Sequence, residues 1–114
     1  MTTNIRDFKW SAAEKKIARQ VYDRAYEREC TAILNKVKEL IEGTEDPKDI
    51  WKVEDYLDKK RMEIDAKYDY RYSVLILVFG RLMQDGLIEE KELSGLDHDK
   101  IERIKAIGSD RRLR

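Results

Sequence analysis

The sequence predicts an all-α fold, built as a long helical hairpin stalk with a small C-terminal helical head and completed as a homodimer. Three observations lead there. Charged residues make up 42% of the 114 residues and are interleaved in sign, well above the quarter or so of an ordinary domain. One proline and five glycines leave few interruptions. Apolar residues recur at helical spacing up to Gly43, and again beyond Pro47. The length fits a single domain over 1–114, with residues 11–68 as stalk and dimerisation region and 69–108 as head.

Met1 to Trp10 reads as a loose leader with no apolar central run, unlike a secretory signal, and Trp10 is placed to staple the first turn of a helix. Ser11 and Glu14 have the spacing of a capping box, in which each side chain satisfies a terminal amide of the other. The helix that starts there meets no breaker until Gly43. At about 30 residues it is about 45 Å long, more than a rounded domain of this size spans, so the molecule is expected to be elongated. Ile17, Val21 and Ala25 mark one apolar line along it; Tyr22, Tyr26, Cys30, Ile33, Val37 and Leu40 mark another, with Cys30 read as a small buried residue. Together they are wider than one following helix covers, which calls for a second copy of the chain.

The short turn Gly43 to Asp46 predicts an antiparallel return. Asp46 suits an N-cap and Pro47 the first helical position, where no amide hydrogen is needed. In the second helix, ending near Lys67 to Asp69, the residues Ile50, Val53, Leu57, Ile64 and Tyr68 stack on one side as a core stripe. Val74 to Phe79 taken alone fits a buried strand, but its continuation through Leu82 and Met83 to Gly86 selects a helix buried on every side. Leu87, Ile88, Leu93 and Leu96 pack back on it. A last helix starts at Asp97 or Asp99 and runs to Gly108, followed by a frayed basic tail from Ser109 to Arg114.

Balanced charge, with 24 basic and 24 acidic residues, argues against a nucleic-acid binder. A single cysteine excludes an internal disulfide framework and fits a cytoplasmic protein. The longest apolar run is too short for a membrane span. No nucleophile-base pair, metal-ligand cluster or phosphate loop occurs at a workable spacing. His98, the only histidine, reads as a surface residue between two aspartates, and no Glu-x-x-His pair supports a helical di-iron site. The expectation is a binding module without a cofactor, not an enzyme.

Trp51 lies outside the core stripe, about 120° round the second helix from its centre, with Glu54, Asp55, Asp58, Met62 and Asp65 within about 60° of it. Arg61 lies about 80° away, at the border with the stripe. An indole among carboxylates with an arginine at the edge resembles a protein-docking surface, since tryptophan and arginine dominate contact energetics. The plainer reading is that Trp51 packs on a neighbouring helix and the acids form its solvated flank.

The segment Ile50-Trp51-Lys52, with Asp55, Leu57, Lys60, Arg61, Glu63, Ile64, Asp65, Lys67, Tyr68 and Asp69, resembles the fluorescence recovery protein family of cyanobacteria. The likeness continues through Arg71, Ser73, Val74, Val78, Phe79, Leu82, Gln84, Gly86 and Leu87, and more weakly to Trp10 and Lys105, so it covers most of the chain. The resemblance implies an all-helical dimer that binds the photoactivated, domain-separated orange carotenoid protein and hastens its return to the resting form. It further implies partner contacts at Trp51, Asp55 and Arg61 on the stalk and at Arg103 on the head. Two positions depart from the family pattern: Glu54 stands where histidine is usual, and Leu77 where an aromatic is. These departures admit an alternative, a homologous scaffold serving another protein.

Overall fold

A computed structural model describes residues 4–110. Four α-helices and three short 3-10 turns follow one another, and no strand occurs among the described residues. α1 spans Ala12–Glu42, α2 Ile50–Lys67, α3 Leu75–Gln84 and α4 His98–Gly108. The chain extends over 59 × 27 × 20 Å with a radius of gyration of 17.0 Å, against about 13 Å for a rounded domain of some 100 residues. The elongation expected from the long first helix is therefore present.

α1 opens with the predicted capping box: the Ser11 hydroxyl accepts from the Glu14 amide at 3.1 Å, and Glu14 Oε1 accepts from the Ser11 amide at 3.0 Å. It closes at Gly43, and the Thr44 hydroxyl donates to the Leu40 carbonyl at 2.8 Å. Asp46 caps a 3-10 turn over Pro47–Asp49 that leads into α2. The end of α2 returns to the middle of α1, where Lys67 meets Glu29 and Tyr68 meets Tyr22 and Tyr26, so the two helices are antiparallel. α3 ends in a Schellman motif. The Leu87 amide donates to the Leu82 carbonyl and the Gly86 amide to Met83, with Gly86 at a φ of 74° that favours glycine.

The core sits at one end. Leu75, Ile76, Val78, Phe79 and Leu82 of α3 pack with Ala18, Val21 and Ala25 of α1, with Ile88, Leu93 and Leu96 of the following segment, and with Ile104 of α4. α3 and α4 approach closely at Gly80, where any added Cβ would run into the Ile107 side chain.

Several expectations change. α3 is not buried all round: Arg81 is exposed and Leu77 only half-buried, giving it an outward face. In α2 only Val53 of the stripe is buried; Ile50 is 53% and Leu57 42% exposed, because two helices alone cannot enclose a stripe that wide. Cys30 is exposed rather than buried, although its neighbours Arg28 and Glu29 on α1 bond to the head and to Lys67. The leader is not loose over its described part. Asn4 caps a 3-10 turn over Ile5–Asp7, and Phe8 and Trp10 pack on the core. Trp10 lies against Tyr72, ring centroids 5.6 Å apart. Of the tail, Ser109 and Asp110 are described; the Gln84 amide group donates to the carbonyls of Ile107 and Asp110, while 111–114 lie outside the described residues.

Candidate functional site

The first turn of α2 sets Trp51 at the far end of the stalk, where its indole is 63% exposed and no helix of the same chain covers it. Glu54, Asp55 and Asp58 follow on the same side, all exposed and without a hydrogen-bond or ion-pair partner among the described residues. Met62 continues the patch at 73% exposure. Arg61 makes a 3.5 Å contact with Asp65 one turn on, both side chains being mostly exposed. Such a pair is a weak tether and leaves the guanidinium available to another carboxylate. Chemically the patch offers an uncovered ring, three uncommitted carboxylates and a loosely held cation.

Beside it runs an apolar band from both stalk helices, in which Leu34 and Ile41 of α1 are 55% and 54% exposed, next to Ile50 and Leu57 of α2. Scattered single apolar residues need no explanation, whereas a band of them along a hairpin leaves a continuous apolar surface in water.

The head residues lie apart from the stalk patch. Trp51 and Lys67 are separated by most of α2, about 24 Å of helix. Leu77 lines a small cleft between α3 and the end of α2, and Arg103 is half-buried on α4 with no ion-pair partner among the described residues. One turn after them, Gly80 meets Ile107, so the two stand on neighbouring stretches of packed helices.

What holds head to stalk was not foreseen. Lys67 Nζ bridges Glu29 at 2.8 Å and Asp85 at 2.9 Å; burial pulls its pKa down, but these hydrogen bonds outweigh it and hold the ammonium above its usual value. Arg28 donates to the Leu87 carbonyl at 2.8 Å and to Glu92 at 2.7 Å. From the segment joining α2 to α3, Tyr68 and Tyr70 stack edge-on with Tyr22 and Tyr26 of α1 at centroid distances of 4.8–5.4 Å, and Tyr72 packs on Tyr70 at 5.6 Å. Arg19 lies over the Tyr70 ring at 4.7 Å. Burial, above all, pushes the Tyr68 and Tyr70 hydroxyls far above their ordinary range, so both stay neutral.

At the base, Lys100 is 1% exposed. Its ammonium contacts both oxygens of Glu14, at 3.0 and 2.9 Å, and the Lys9 carbonyl, and it faces the Trp10 ring at 5.0 Å. Glu14 also accepts from the Asp97 amide at 2.9 Å, so one carboxylate joins the leader, the start of α1 and the start of α4. The sequence carries one clue to this: Lys100 lies one turn before Ile104, on the core face of α4.

Among the described residues no group of three His, Cys, Asp or Glu side chains is arranged to hold a metal, and no helix is long and apolar enough to cross a membrane.

The profile of a family described as the photoprotection regulator fluorescence recovery protein matches residues 10–108. The fluorescence recovery protein of Synechocystis sp. is 42% identical over 98 residues, spanning 86% of this chain and 90% of that protein. Among solved structures, the fluorescence recovery protein of Fremyella diplosiphon superposes with a TM-score of 0.83 at 39% identity, covering 90% of this chain and all of that one. That of Synechocystis does so at 0.82 and 41%, covering 88% and 98%. Sequence, helix order and overall shape agree over nearly the whole length, and the chain belongs to the fluorescence recovery protein family.

Proposed function

We propose that this chain is a non-enzymatic cytoplasmic regulator that binds the photoactivated orange carotenoid protein and accelerates its return to the resting form, so ending photoprotective quenching. The observation that carries the reading is the exposed Trp51, with unpaired Asp55 and loosely held Arg61 on one stretch of α2. Trp51 supplies the ring that is desolvated on docking, and Asp55 and Arg61 supply directional charge contacts. The head adds Leu77 and Arg103. The chemistry is scaffolding. A surface holding both separated domains of the partner raises their effective concentration, and tighter binding of the closing intermediate than of the open form lowers the barrier.

The working unit of the proposal is a homodimer, in which the apolar band of the stalk, residues 11–68, is covered by a second copy while the heads, 69–108, stay free. Leu34, Ile41, Ile50 and Leu57 are the residues such an interface would bury. Dark reversion of photoactivated orange carotenoid protein, followed by absorbance with increasing amounts of this chain, tests the function. The expected rate rises and then saturates; a flat rate up to a large excess of the chain removes the proposal. The alternative, a scaffold for a different protein, is favoured by Glu54 and Leu77, which alter charge and shape at two contact positions. Under it the chain would be dimeric but inert in the reversion assay.

A further inference from the structure

Arg81 follows Leu77 by one helical turn on the outward face of α3, and no side chain pairs with it among the described residues. It stands on a ridge shared by two clefts at the junction of stalk and head. The larger, about 800 Å³, is lined mainly by charged and polar side chains, and apart from Arg81 its charges are already matched: Lys60 meets Glu63 at 3.1 Å, and Lys67 is held by Glu29 and Asp85. The smaller, about 220 Å³, is different in kind. Ala66, Val74, Leu77 and Val78 give it an apolar lining, and Arg71 on its rim is engaged by Asp69 at 2.9 Å. Among the described residues Arg81 is therefore the one rim charge left uncommitted.

An apolar notch edged by a free guanidinium recognises two things at once. A side chain that fills the notch is desolvated, and a carboxylate beside it accepts paired hydrogen bonds from the planar fork of the arginine. The volume is below the 300 Å³ or so at which small-molecule pockets begin, and suits one large side chain. We infer that the notch under Leu77 receives a bulky apolar side chain of the protein partner, and that Arg81 holds a carboxylate within a residue or two of it. The inference rests on the reading of the head as part of the docking surface and gives that part its chemistry: an apolar residue flanked by an acid. It also sets a role for the position of Leu77, whose side chain determines the depth of the notch.

The probe is N-acetyl-phenylalanine, the least molecule that sets an aromatic ring beside a carboxylate; its amide, which lacks the charge, is the control. Titrated into the full ¹⁵N-labelled chain, the acid should shift the amides of Ala66, Val74, Leu77, Val78 and Arg81 and bind roughly tenfold more tightly than the control. Arg81→Gln should abolish that difference with the thermal midpoint unchanged, since Arg81 is exposed and unpaired. Equal binding of acid and amide, shifts elsewhere on the molecule, or a difference that survives Arg81→Gln would overturn the inference. The second arm is Arg81→Glu in the reversion assay, which should lower the acceleration about tenfold or more; full activity of that variant also overturns it. If the unaltered chain does not accelerate reversion, the choice of partner fails, and the titration alone decides the notch.

Discussion

At the base of the molecule Lys100 is 1% exposed, with Glu14, a carbonyl and an indole arranged round it; at the far end of the stalk Trp51 is 63% exposed and Leu34, Ile41 and Ile50 face outward. The base buries charge and the tip exposes apolar surface, each the reverse of what its residue types favour. At the base the inversion is internally compensated: the two buried charges, Lys100 and Glu14, meet each other, and the tyrosines of the joining segment cover α1. At the tip nothing among the described residues compensates. Among the described residues two antiparallel helices have no third element to close over their apolar sides, so that surface stays open to solvent. The comparison separates residues that hold the fold from residues the fold leaves uncovered, and each can be tested by altering one end and reading the other.

The largest effect is expected at the base. Lys100→Ala leaves the buried Glu14 carboxylate without its counter-ion, and breaking one partner of such a pair costs about 3–5 kcal/mol. Urea unfolding should show the loss as a lower midpoint at pH 7. The same pair makes stability depend on acid. Burial alone would raise the Glu14 pKa, but hydrogen bonds from Ser11, Asp97 and Lys100 outweigh it and set the value below the ordinary 4.5. Glu92 is lowered too, chiefly by its hydrogen bond from Arg28. With folded values depressed, this stability is present above pH 4.5 and is lost as the pH falls through the folded pKa values. The midpoint should hold from pH 7 to about 5 and then drop; Glu14→Gln should shrink that drop. A midpoint insensitive to Lys100→Ala would mean that the base is not the self-contained end.

The next effect belongs to the stalk. Leu34→Glu places a charge in the band assigned to the second copy. Since a two-fold interface carries the change twice, dimerisation should weaken by about 2–4 kcal/mol. Light scattering at micromolar concentration should then report the monomer mass, while near-ultraviolet circular dichroism from the tyrosine cluster stays as it was. An undiminished dimer mass would show that the two copies meet elsewhere.

Much of this division was legible in the sequence, for reasons that differ by element. Ser11 with Glu14, Asp46 with Pro47, and Gly86 act locally, so the helix ends they set could be read without knowing the fold. The Trp51 side of α2 was legible because helical geometry alone decides which residues share a face. Ile50 and Leu57 read as core from the sequence because periodicity tells which residues are apolar together, not whether the same chain covers them. Lys100 escaped notice because a buried ammonium depends on partners 86 and 91 residues away, at Glu14 and Lys9. The notch at Leu77 and Arg81 arises where α3 meets the end of α2, and nothing local encodes that meeting.

Trp51→Ala separates contact from fold at the tip. With 63% of the residue already in solvent, its loss should leave the unfolding midpoint within about 0.5 kcal/mol of the original. Binding to the photoactivated carotenoid protein, measured by titration calorimetry, should fall by about 2 kcal/mol, the size of an aromatic anchor. If the dimer instead dissociates or the midpoint drops, the indole is an intermolecular packing residue and the docking surface must lie elsewhere.

The smallest effect is the most discriminating between partners. Glu54 adds a carboxylate beside Asp55 and Asp58, so the patch around Trp51 is more acidic than one with histidine at that place. A histidine of ordinary pKa, about 6.5, is mostly neutral at pH 7, so Glu54→His removes one negative charge there. An exposed charge alters a contact only modestly, and the change should strengthen binding to an orange carotenoid protein by about two- to fivefold at low salt. Raising the ionic strength from 0.05 to about 0.5 M should erase most of the gain by screening. Weaker binding of Glu54→His would reverse the inference drawn from that residue. It would mean that Glu54 meets a cation on the partner, and that the acidic tip is matched to a surface carrying the complementary charge.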